Sequence, residues 1–310
     1  MKNVNRVDVR PAQFLRSVKT SQVAWMLNPS AVVASSFGDY LVEIYTRHFS
    51  NRRPESAAYL SGAARLVLEQ LGNTNALYHN AEHTVMVTLV GQQILRGRLI
   101  SDALEPDDWL HYTIALLLHD IGYVRGICRG DGRHEVVINS VGEKFSPPRG
   151  ASDAILAPYH VARGMMYARD RLANSKFVDE ERIARAIEFT RFPIPDDPEF
   201  QEVESEPALV RSADLIGQLA DPFYHRKINS LFYEFVETGV AEELGYRSPM
   251  DLMEHYPEFF WSRVEPYLGP ALRYLELTVE GKQWVAQLYN NIFQVNQQQS
   301  WLGPFPGPEK

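Results

Sequence analysis

The stretch PDDWLHYTIALLLHDIGY, residues 106–123, decides how this chain is read. Pro106 and the acids Asp107 and Asp108 suit the first turn of a helix, where proline costs no hydrogen bond and the macrodipole favours negative charge. Leu110, Ile114, Leu117 and Leu118 then give an apolar face at helical spacing. His119 and Asp120 come at the end of this face, before Gly122. A helix driven into a core thus carries two ionisable groups inward, which is costly unless something binds them.

Helical patterns continue outward in both directions. Ala31 to Phe49 repeats apolar residues at Val33, Phe37, Leu41, Ile44 and Tyr45, and Pro54-Glu55 opens a second helix over Ser56 to Leu71, with Gly72 as its stop. A third helix is expected from about Asn80 to Leu99. Asp153 to Leu172, Asp179 to Thr190 and Glu202 to Leu219 read as further helices, the last two separated by the proline-rich stretch 192–198. Two or three more are expected beyond Pro222, ending with Gly281 to Gln298. Residues 126–132, GICRGDG, read as a flexible loop. No strand alternation, internal repeat or clear linker is present. The fold class is therefore all-α, a multi-helix bundle. Residues 1–55 are expected to form a helical extension packed on the core, 56–299 the main domain and 300–310 a flexible tail rich in proline and glycine.

The 310 residues and 45% hydrophobic content are enough for a substantial core. A net charge of −8 argues against nucleic-acid binding through the overall field. A metal and local arginines can still make a pocket that accepts an anion. The one cysteine, Cys128, fits a reducing compartment and allows no intramolecular disulfide. The most apolar run, Tyr112 to Val124, is too short for a bilayer span, and the N-terminus has no continuous signal-peptide core. The expectation is a cytoplasmic protein with no membrane partner.

Six residues have ligand character and occur in suggestive contexts: His79, His83, His119, Asp120, His160 and Asp214. His79 and His83 would share a face of a continuous helix. Asp214 lies in the apolar stretch Ala213-Asp214-Leu215-Ile216, where a carboxylate needs a partner. Mixed nitrogen and oxygen donors suit a borderline-hard divalent cation. Arg125, Arg129 and Arg133 are read as solvated loop charges, and the remaining histidines as structural or surface groups. Phe232, Tyr233, Phe235, Phe259, Phe260 and Trp261 are read as core or as the interface of a homo-oligomer.

Tyr78-His79-Asn80-x-x-His83-Thr84, then His119-Asp120-Ile121-Gly122, then Ala213-Asp214-Leu215 resemble the HD-domain metal-dependent phosphohydrolases, within them most nearly the catalytic domain of class I cyclic nucleotide phosphodiesterases. The resemblance extends over about residues 71–224. It implies an all-α fold in which His83, His119, Asp120 and Asp214 ligate a first metal. Asp120 would bridge to a second, and His79 would donate a proton to the leaving oxygen. His160 and Glu188 would lie by the second metal or its water, and Gln287 is the counterpart of the residue that orients the base. Where the phosphodiesterases carry a further Asp-His, this chain has Gly122-Tyr123.

The chemistry so implied is cleavage of a phosphoester, a cyclic nucleotide first of all, by a metal-bridging hydroxide attacking in line. Two divalent cations (Zn, Mn, Fe or Mg) would lower the pKa of the shared water from about 15.7 toward about 7. His79 lies near a helix start, where the dipole disfavours imidazolium, so a nearby carboxylate is expected to keep it charged. An HD-type nucleotidase or dNTP triphosphohydrolase, and a non-catalytic nucleotide-sensing regulator, remain open alternatives.

Overall fold

The computed structural model describes residues 28–297. The expectations for residues 1–27 and for the tail from 300 onward lie outside them. The described chain is all-α. Its helices are α1 (Pro29–Phe49), α2 (Pro54–Leu71), α3 (Ala81–Ser101), α4 (Pro106–Leu118), α5 (His160–Leu172), α6 (Glu180–Glu188), α7 (Glu206–Leu219), α8 (Tyr224–Thr238), α9 (Val240–Glu243), α10 (Pro249–Glu254), α11 (Tyr256–Phe259), α12 (Gly269–Leu275) and α13 (Val279–Gln297). None of them is long and apolar enough to cross a membrane.

Helix α4 is the axis of the bundle. It starts as its sequence predicts, with Pro106 in the first turn and a capping box between Glu105 and Asp108. Every residue from Trp109 to Leu118 is buried. Helices α2, α3, α6 and α7 pack around it. Helix α1 lies along α2, and its Phe37, Leu41, Ile44 and Tyr45 join the same hydrophobic core as α4.

Three sequence expectations need correction. Asp153 to Leu172 is not one helix. Pro158 has no N–H to give Ala154, so a 3-10 turn at Asp153–Leu156 ends there and α5 begins afresh at His160. Among the described residues, the segment after residue 222 is broken into six α-helices rather than two or three. Gly239 and Gly245 take left-handed φ values of 83° and 74°, and Ser248 caps a new start at Pro249. The loop 126–132 is pinned rather than loose. The Asp131 carboxylate accepts from the backbone N–H groups of Gly126, Cys128 and Val137, and pairs with the buried Arg163 at 2.9 Å. A two-residue ribbon follows it, β1 (Val136–Val137) antiparallel to β2 (Lys144–Phe145), with Val136 opposite Phe145.

One close helix crossing bears directly on the polar groups of the core. Helices α3 and α7 meet at Gly217, where an added Cβ would lie 2.8 Å from the Val87 Cα. His83 is one turn before Val87, and Asp214 nearly one turn before Gly217, so this contact sets how near the two side chains come. In Gly217→Ala, helix propensity gains about 1 kcal/mol. The clash is with backbone, which cannot swing aside, and overpacking of this kind costs about 1–3 kcal/mol. The second effect should win. Denaturant unfolding should show Gly217→Ala less stable than wild type.

Candidate metal centre

Asn80 determines where α3 begins. Its side-chain oxygen accepts from the N–H groups of Glu82 and His83, at 2.9 and 3.4 Å. His83 therefore sits in the first turn, facing inward. His79 precedes the cap and is not on the helix, so the pair does not share a helical face. Glu234 holds it in place instead.

His119 follows the last turn of α4. Its Nδ1–H donates to the Leu116 carbonyl at 2.7 Å. A carbonyl only accepts, so Nδ1 carries the proton and Nε2 is left as a ligand atom. Asp214 projects from the middle of α7. The side chains converge: His83 Nε2 lies 3.2 Å from Asp214 Oδ1 and 3.5 Å from Asp120 Oδ2. His119 Nε2 lies 3.2 Å from Asp120 Oδ2 and 3.5 Å from Asp214 Oδ1. Donors around one cation at about 2.0–2.2 Å are themselves about 3.0–3.5 Å apart in tetrahedral or octahedral arrangement.

Two further observations fit a bound cation. His119 Nε2 and Asp120 Oδ2 are fully buried and have no hydrogen-bond partner. Charge tells the same story. Burial pushes the His119 imidazole down, but Asp120 and Asp214 outweigh it and hold the ring well above its usual range. Burial would raise both carboxyls, yet His119 keeps them below the usual carboxylate range. The cluster is thus short of positive charge, which protons or a divalent cation can supply. His83, His119 and Asp214, with Asp120 beside them, are the residues that would hold such an ion.

His160 is also brought in. Its Nδ1–H donates to the Ala157 carbonyl at 2.6 Å, and Nε2 faces Asp120 Oδ1 at 3.8 Å. Burial lowers its pKa, favouring the neutral ring. Asp214, His79 and His160 retain 22%, 20% and 16% side-chain exposure, so the centre opens on that side. A small cavity of about 100 Å³ adjoins His83, lined also by Tyr78, Asn80, Lys227 and Ser230.

The other sequence candidates have different partners. Glu188 is engaged by Arg185 at 2.9 Å, with Arg191 at 3.9 Å. Gln287 donates to Asn291, which in turn holds the carbonyls of Leu219 and Asp221. Gln287 thus supports the turn between α7 and α8 in this conformation. Arg125 is taken up by Asp153 at 2.7 Å and by the carbonyls of Ala151 and Ser152.

The sequence reading missed Glu234. It is buried on α8, and its Oε2 lies 2.6 Å from His79 Nδ1 while Oε1 accepts from the N–H groups of Tyr78 and His79. Burial lowers the His79 pKa, but the Glu234 charge and hydrogen bond overcome this and raise it from 6.5 to about 9. This is the carboxylate that the position of His79 demanded. A lone acid among Leu231, Phe232, Tyr233 and Phe235 was the available signal.

The profile of the Npun_R2479-like family matches residues 27–298, which include every residue of the centre. The chain belongs to the Npun_R2479-like family. No curated protein matches it.

Cation uptake by this family member should release protons, because His119 is held protonated without the ion and must be neutral to ligate. Calorimetric titration with Mn²⁺ or Zn²⁺ near neutral pH, in buffers of different ionisation enthalpy, should show that release. Asp214→Asn should weaken binding by more than the roughly 10–100-fold that loss of a supporting partner costs.

Proposed function

We propose that the chain is a metal-dependent phosphohydrolase that cleaves a phosphoester of a small nucleotide-like substrate, with cyclic mononucleotides the leading class. The observation that carries this reading is the juxtaposition of two kinds of group. A four-residue donor set, buried except for the partly exposed Asp214, lies beside a histidine that an ion-paired carboxylate keeps charged. Non-catalytic binding needs no such proton donor at the rim of a cation site.

A bound divalent cation would supply a water of lowered pKa and charge neutralisation on phosphoryl oxygens. The chain itself supplies the rest. Nδ1 of His79 is tied to Glu234, which leaves Nε2 to give its proton to the departing alkoxide. An alkoxide is a poor leaving group, so such a donor is worth about 10²–10⁴-fold. Glu234 holds the ring in orientation and favours its charged form. His160, with its Nδ1 occupied by Ala157, presents a neutral nitrogen on the open side of Asp120.

The donor count also bears on the number of ions. Four residues face one position, whereas a second would have Asp120 and His160 as its protein donors, since Glu188 is paired with arginines. We infer one tightly held ion and a second held more weakly, largely through water. The engagement of Gln287 with Asn291 favours retaining a second reading, an HD-type nucleotidase or dNTP triphosphohydrolase on the same centre. The buried thiol of Cys128, its pKa raised by burial to about 11, fits a cytoplasmic setting.

With Mn²⁺ added, wild type should hydrolyse at least one member of a panel of cyclic mononucleotides, nucleoside phosphates and bis(p-nitrophenyl) phosphate. Asp120→Ala should be inactive on all of them. His79→Ala should lose about 10²–10⁴-fold on an unactivated ester and far less on the nitrophenyl ester, whose leaving group needs no proton. Absence of any activity in the Mn²⁺-loaded wild type refutes the hydrolase reading.

The pH dependence has a definite sign. Protonated His79 is the working form, so activity on an unactivated ester should fall as pH rises through about 9. Glu234 is the largest contributor holding that value up, ahead of Asp120 and Asp214. In Glu234→Gln the alkaline limb of the pH–rate profile should move down toward neutrality. The native ion pair stabilises the fold below pH 6.5, and this contribution should likewise disappear as pH passes about 9.

A further inference from the structure

We propose that Tyr123 is a positioning residue for this reaction, its ring held face to face between His79 and His160 so that both imidazoles keep fixed planes. The proposal rests on the hydrolase reading above and adds a residue that the resemblance does not supply, because the phosphodiesterases carry histidine at this place.

The geometry is a three-layer stack. His79 and Tyr123 have ring centroids 4.7 Å apart and planes within 16°. Tyr123 and His160 are 4.4 Å apart and within 15°. Each outer ring is also tied by its Nδ1, His79 to Glu234 and His160 to Ala157. One hydrogen bond leaves an imidazole free to pivot about that bond, and a flat neighbour across its face removes the pivot. The free Nε2 of each ring then has one direction.

The middle layer is anchored more firmly than an ordinary core aromatic. Arg163, fully buried, donates to the carbonyls on either side of Tyr123, those of Gly122 and Val124, each at 2.8 Å. Asp131 fixes the guanidinium in turn. The turn bearing Tyr123 also lies directly on the start of α5, since a Cβ added at Gly122 would come within 1.8 Å of the His160 carbonyl oxygen. Tyr123 is thus locked to the His160 backbone as well as to its ring. It packs with Val136, Ile138 and Leu156 in a small cluster separate from the main core.

The test compares Tyr123→Phe, which keeps the flat face, with Tyr123→Leu and Tyr123→Met, the latter refilling the volume without a ring. Steady-state kinetics would use the best unactivated ester of wild type and bis(p-nitrophenyl) phosphate. Tyr123→Phe should stay within about threefold of wild type. Leu and Met should lower kcat on the unactivated ester by about 10–10²-fold, the scale of a small misplacement of a catalytic group, with KM and metal content nearly unchanged and the nitrophenyl ester little affected.

Equal loss on both esters, a rise in KM alone, or a Phe variant as damaged as Leu would overturn the proposal. Long-range ¹H–¹⁵N spectra of the histidine rings give a readout independent of turnover. The His79 and His160 signals should both shift in Leu or Met and hold in Phe. Unchanged ring signals in Leu and Met sink the positioning role, whereas a wild type inactive on every ester sinks the hydrolase reading instead.

Discussion

Asp120 and Asp214 turn carboxylate oxygens toward the same two imidazole nitrogens, with the closest approaches at 3.2 Å, inside a helical core. Two anionic groups at such range, one buried and one largely so, are tolerated only when positive charge lies between them. The fold is arranged around that requirement. Helix α4 ends where His119 and Asp120 are needed, the Asn80 cap starts α3 so that His83 faces inward, and the tight approach of Gly217 to Val87 brings Asp214 across from α7. The consecutive helices α3 and α4 and the distant α7 thus supply one charge-deficient point.

The rim obeys a different electrostatic rule. At His79 the partner carboxylate is buried behind the ring and bonded to its Nδ1, so the proton is retained on a group open to the site. At the centre Asp120 and Asp214 confront the ring of His119, which they hold charged and which would have to lose a proton to serve as a ligand. Tyr123 separates the charged ring of His79 from the neutral ring of His160, and its phenol stays protonated because burial raises its pKa.

Much of this was legible in the sequence for one physical reason: a polar group on an apolar helical face demands a partner. That reasoning found His119, Asp120 and Asp214, and the Pro106 start and all-α class followed from helical periodicity. Glu234 met the same criterion but was overlooked because its aromatic neighbours drew the reading toward core packing. Glu188 was legible in the other direction, since Arg185 stands one turn before it on α6 and Arg191 three residues after it, just past the helix end. The break at Pro158 was a local signal that the helical periodicity around it masked, whereas the clamp of Arg163 on the Gly122 and Val124 carbonyls depends on tertiary contact, which no local pattern encodes. Gln287 has a polar partner one turn away in Asn291, a local competitor that motif matching ignores.

X-ray absorption spectroscopy of the Zn²⁺-loaded chain tests the central claim most directly, because it reads donor type and distance without reference to any substrate. The predicted spectrum has an inner shell of two imidazole nitrogens and carboxylate oxygens at about 2.0–2.2 Å, with the outer-ring scattering of two histidines. In His83→Ala one histidine's contribution should vanish. A shell of water oxygens alone, or a wild-type spectrum identical to that of His83→Ala, would contradict the account.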